Sequence, residues 1–97
     1  MEANNHRIPF PEERIGVLST AHIPEGEAPQ IADRLAAGQL VGMQREEGFI
    51  LFTDIQHEDV PVTAALLEKA RHNGFDWLML DADGDILDEL PTYNWKD

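Results

Sequence analysis

The sequence has no cysteine. That removes a disulfide framework, a zinc site built on thiolates and a thiol nucleophile. It also lacks any apolar run near the roughly 18 residues that a membrane-spanning helix needs. The opening "MEANNHRIPFPEER" has no apolar signal-peptide core, so the expected location is cytoplasmic. Basic residues are scarce: 7 Lys and Arg stand against 19 Asp and Glu, a net charge of −12. Such a field repels a nucleic-acid backbone. Direct nucleic-acid binding is therefore not expected. A basic protein, or the nucleic-acid groove of a partner, suits the charge better, although the same charge also serves solubility. No internal repeat or low-complexity tract is present. What remains is an ordinary 42% hydrophobic share in 97 residues. That is enough for one domain burying roughly two thirds of its unfolded surface.

Residues 1–13, with Pro9 and Pro11, read as an extended arm, and 14–97 as a single α+β domain. "RIGVLS" at 14–19 predicts a strand, closed off by Pro24 and Gly26. "EAPQIADRLAAG" predicts a helix with Pro29 in its first turn and Gly38 past its end. "QLVGMQREEGFILFTD" predicts a hairpin whose turn is Glu46-Glu47-Gly48. "HEDVPVTAALLEKARHNG" predicts a second helix, with Asp59 as its cap, Pro61 in its first turn and Gly74 at its end. "FDWLMLD" predicts a last main strand. The order β-α-β-β-α-β is that of a ferredoxin-like fold: spatial order 4-1-3-2, both helices on one face of a mainly antiparallel sheet.

The stretch "WLMLDADGDILDEL" (77–90) has three readings. An apolar strand running into D-x-D-G resembles the first motif of haloacid-dehalogenase phosphatases, which implies Asp81 as nucleophile and Asp83 as acid. The residue after the glycine is Asp85 rather than the usual threonine or valine. Only 13 residues follow Gly84, too few for the downstream domain such an enzyme needs. Read as a calcium loop from Asp81, the aspartates fall at positions 1, 3 and 5. Ile86 and Thr92 then stand where glycine and a bidentate glutamate belong. Asp81, Asp83 and Asp85 remain weak candidates for a cation, and no cofactor is expected. The favoured reading is a hairpin with Asp83-Gly84 at its turn. It makes 85–90 an additional C-terminal strand beside the last main strand, with Leu80 facing Leu87 and Met79 facing Asp88.

Other candidates are weaker. Ser19, Thr20 and His22 in "STAH" could suggest a hydrolase, but nothing in the sequence orients a base, and the expected role is hydrogen bonding at a strand end. His6, His57 and His72 lack metal-ligand spacing. Tyr93 and Trp95 in "LPTYNW" either fold back on the body or anchor a partner. Trp77 and Met79 point away from Leu78 and Leu80. With both helices on one side, they belong to an apolar face open to a homodimer or another partner. The partner-binding candidates are accordingly Trp77, Met79, Asp85, Asp88, Glu89, Tyr93 and Trp95.

"LSTAHI" at 18–23, together with "GFDWLMLDADGDILDELPTYNW" at 74–95, resembles small uncharacterised proteins of bacterial plasmids, prophages and integrative elements. The resemblance covers a quarter to a third of the chain and brings no catalytic residue. It implies a mobile-element accessory protein. The expected function is a non-enzymatic protein-binding module. The alternatives are a DNA mimic that inhibits a host nucleic-acid-binding system and a metal-dependent hydrolase using Asp81, Asp83 and Asp85.

Overall fold

The two most apolar strands of the chain, GFILF and WLMLD, take the middle of the sheet. The computed structural model describes residues 8–54 and 59–95. In chain order the elements are β1 (Ile15–Ser19), α1 (Ala28–Ala36), β2 (Gly42–Arg45), β3 (Gly48–Phe52), α2 (Pro61–His72) and β4 (Trp77–Asp81), with single 3-10 turns at Thr20–His22 and Glu25–Glu27 before α1. They form a mixed α+β unit with one four-stranded sheet. The N-terminal arm is described from Ile8 onward. His6, and His57 and Glu58 at the start of the stretch assigned to the second helix, lie outside the described residues.

The spatial order is β1-β4-β3-β2, not 4-1-3-2. β4 runs parallel to β1 and antiparallel to β3, and β2 closes the other edge antiparallel to β3. In the expected fold the second helix would carry the chain across the sheet to a strand parallel to β3. Here the link and α2 together return it to the end where β3 finished, so that Phe52 lies opposite Trp77. Thr53 fixes that return. Its N–H donates to Asp76 O, and its hydroxyl reaches the Phe75 and Asp76 carbonyls at 2.9 and 3.0 Å.

The position of β4 also excludes the expected hairpin. Both edges of β4 are already occupied, by β1 and β3, so residues 85–90 have no edge of β4 to pair with. Among the described residues no strand follows β4.

Alternate residues of the central strands point to one side. Phe49, Leu51, Leu78 and Leu80 are buried against Ile31 of α1 and Leu66 and Leu67 of α2. Both helices therefore cover the same face, as expected from the sequence.

Two local expectations change. The N-terminus of α2 is capped by Glu27 rather than by Asp59. Its carboxylate accepts the N–H groups of Val62 and Thr63 at 3.1 and 2.9 Å and the Thr63 hydroxyl at 2.6 Å. This meets the orphan donors of a first turn and places negative charge at the positive end of the helix dipole. Asp59 instead pairs with Arg34. Gly48, expected in the turn, is the first residue of β3 opposite Arg45, and Glu46-Glu47 make the turn. A Cβ on Gly48 would sit 1.7 Å from the Leu80 carbonyl oxygen. Close strand approach therefore accounts for the glycine.

Candidate interaction surface

Among the described residues, no helix covers the face of the sheet away from α1 and α2. The strand registers lay its side chains in rows. Ile15, Trp77 and Phe52 form one row. Val17, Met79, Ile50 and Met43 form the next. Ile15, Val17 and Met43 are 43%, 47% and 56% exposed, high for apolar residues on a strand. Phe52 and Trp77 meet edge to face with centroids 5.0 Å apart, a favoured arrangement of the two ring quadrupoles. The indole N–H of Trp77 donates to Glu13 of the arm. The candidates Trp77 and Met79 thus lie within the apolar rows.

Past those rows the face becomes charged. Arg45 Nη1 lies 2.9 Å from Asp81 Oδ2 and 3.1 Å from the Met79 sulfur. Asp81 Oδ1 accepts the Asp83 N–H at 2.8 Å, and Gly84 N–H closes the turn on Asp81 O. The Asp83 N–H and the Arg45 guanidinium hold the Asp81 carboxyl below its ordinary value of 3.8.

Among the described residues, the carboxylates near enough to share a cation are Glu47, Asp81 and Asp83, with ligand atoms within 4.8 Å of one another. Asp85 is not one of them, and Glu47 was not expected. Both oxygens of Asp81 already have partners, one of them a cation. The trio therefore forms an acidic corner of the open face more readily than a coordination sphere.

Beyond Gly84 the chain crosses the end of β1. Ser19 N–H donates to Asp85 O. A Cβ on Gly84 would lie 2.5 Å from the Leu18 carbonyl carbon and oxygen, so only glycine permits this crossing. Residues 85–95 then wrap the "STAHI" turn. His22, 1% exposed, is the buckle. Its Nε2 accepts the Leu87 N–H at 3.0 Å, and its Nδ1 lies 2.8 Å from Pro91 O. The pair requires a neutral ring protonated on Nδ1. Tyr93 N–H donates to Ala21 O, and the Trp95 indole N–H to Ile23 O at 2.9 Å.

Residues 18–23 and the stretch that ends at Trp95 are therefore one structural unit. Sequence spacing did not show this, because a lone histidine has no spacing to read. Ser19 Oγ accepts the Ala21 N–H, and both nitrogens of His22 are committed to main-chain groups, so neither is left for a serine proton. Tyr93 is half-buried. Trp95 stays 37% exposed, and Asp88 and Glu89 stand on an exposed turn closed by Leu90 N–H on Leu87 O.

Fold and surface define a small α+β domain with one bare sheet face and a C-terminal belt locked around a buried histidine. Residues 15–95 match the model of the C-terminal domain of a family of unknown function, DUF5983, and the chain belongs to that family. The match runs from the first residue of β1 to Trp95, so it includes both halves of the belt. No curated protein and no solved structure matches the chain.

Proposed function

We propose that this domain is a non-catalytic protein-binding module that docks a basic-rimmed partner on its open sheet face. The observation that supports it is the two apolar rows left bare beside an acidic corner. An exposed apolar patch with a charged rim is the pattern of an association surface. The favoured occupant is a different protein rather than a second copy. Face-to-face pairing would bring together two chains of net charge −12 and, with them, two copies of the Glu47, Asp81 and Asp83 corner. A cytoplasmic, mobile-element accessory setting is the context this reading fits. DNA mimicry would use the acidic corner and the Asp85, Asp88 and Glu89 belt without the apolar rows, and its binding would fall steeply with salt.

The test is affinity capture from the native host at low and high salt. Wild type is compared with a Val17→Glu/Met43→Glu variant whose circular dichroism and melting are unchanged. A partner retained by wild type at both salt concentrations and lost by the variant supports the reading. A partner held equally by both, or only at low salt, removes it. A concentration-dependent dimer in light scattering, abolished by the variant, would replace it with self-association.

A further inference from the structure

A second contact lies on the helix side of β1. β1 is an edge strand, and between it, α2 and the belt lies an apolar cleft of about 320 Å³. Leu18 of β1, Leu66 and Ala70 of α2 and Leu87 and Leu90 of the belt line it, together with the charged Asp85 and Lys69. Gly16 and Val17 border it as well, although the Val17 side chain belongs to the opposite face. The cleft therefore opens onto the free edge of the strand.

That edge has a specific hydrogen-bonding state. In the parallel register with β4, Gly16 and Leu18 turn their main-chain groups inward, so those of Ile15, Val17 and Ser19 point outward. The belt takes the Ser19 N–H through Asp85 O. Ile15 and Val17 keep outward N–H and C=O groups with no partner among the described residues. The belt thus meets this edge at one point, Ser19, and the edge alongside Val17 and Ile15 is vacant among the described residues. No proline or lysine blunts this edge, as commonly happens where pairing must be avoided.

We infer that the vacant edge receives an extended segment of a partner protein, which adds a short strand to β1. The segment seats one apolar side chain in the cleft and sets a cationic one against Asp85. Main-chain bonds to an open edge, with a pocket for an alternate side chain, are the two components of strand-addition recognition. Charge selects the occupant. Asp85 is exposed and Lys69 is the single cation of the lining, so the local charges balance. It is the −12 of the whole molecule that draws a basic segment toward the cleft, with Asp85 as its counter-charge. A second copy fits poorly. The belt at Ser19 leaves too short a run of β1 for two such strands to pair with each other. This inference rests on the protein-binding reading and names a site separate from the open face.

The experiment titrates the ¹⁵N-labelled chain with a panel of seven-residue synthetic peptides of alternating apolar residues and lysine ends. Controls have glutamate ends, or N-methylated main chains that cannot pair. The expected result is that lysine-ended peptides shift the amides of Val17, Ala70 and Leu87 and slow hydrogen exchange at Val17. N-methylation should weaken binding at least tenfold. Asp85→Lys should reverse the preference toward glutamate ends. Binding indifferent to N-methylation would make the cleft a small-molecule pocket and overturn the inference. So would the absence of shifts from every peptide at millimolar concentration, or shifts confined to Met43 and Ile50. The last outcome would leave the open-face reading intact, so the two proposals fail separately.

Discussion

His22 is the residue on which the C-terminal half depends most. Its ring joins a turn after β1 to two main-chain groups from a segment more than sixty positions later. His22→Ala leaves the Leu87 N–H and the Pro91 carbonyl unpaired and opens a cavity. Unsatisfied buried groups and lost volume together should cost about 2–4 kcal/mol. Urea unfolding followed by tryptophan emission measures this, with an early red shift as Trp95 leaves Ile23 O. Asp81 makes a prediction about acid. Its folded value is lowered by the Asp83 N–H and Arg45. The stability it contributes is therefore complete above the unfolded value and is lost as pH falls below 3.8 through the folded one. Asp81→Asn should reduce stability near neutrality and flatten the loss in that acid range, which a series of melts from pH 7 to 2 would show.

At the scale of elements, β1, both helices and the β2–β3 hairpin were legible in the sequence because their signals are local. Pro29 and Pro61 in first turns, glycines past the helix ends and alternating apolar residues fix an element without reference to the rest of the chain. Strand order was not legible, since it depends on where Thr53 and Asp76 meet, a contact between residues distant in sequence. One error produced the next. With β4 placed at an edge, Asp83-Gly84 reads as a hairpin turn; with β4 in the centre, the same Asp-Gly becomes a crossing over the end of β1. Gly84→Ala tests that account. Its Cβ would meet main-chain atoms of Leu18 and Ser19, and overpacking of this kind should cost about 1–3 kcal/mol. Gly26→Ala, with nothing within 4 Å of the added carbon, should be neutral or slightly stabilising. Glu27 was missed for the same reason as the strand order, because a cap supplied from another element has no sequence spacing. Glu27→Ala should destabilise by about 1–3 kcal/mol in chemical denaturation, since it strips three hydrogen bonds from the buried start of α2.

At the scale of the whole molecule, the open face sets two apolar rows beside an acidic corner, and the functional proposal depends on that segregation. The sequence showed the −12 and the alternation of Trp77 and Met79 against Leu78 and Leu80, so the open face was within its reach. The acidic corner was only partly so, since Glu47 joins Asp81 and Asp83 through the β3–β4 register while Asp85 departs to the belt. The most direct measurement is methyl cross-saturation from a captured, unlabelled partner to the chain labelled at Ile, Val and Met methyls. Attenuation centred on Val17, Met43, Ile50 and Met79 is the predicted footprint. If those methyls kept full intensity while amide perturbations clustered at Asp83, Asp85, Asp88 and Glu89, the partner would be binding the acidic rim, and the docking role assigned to the open face would be wrong.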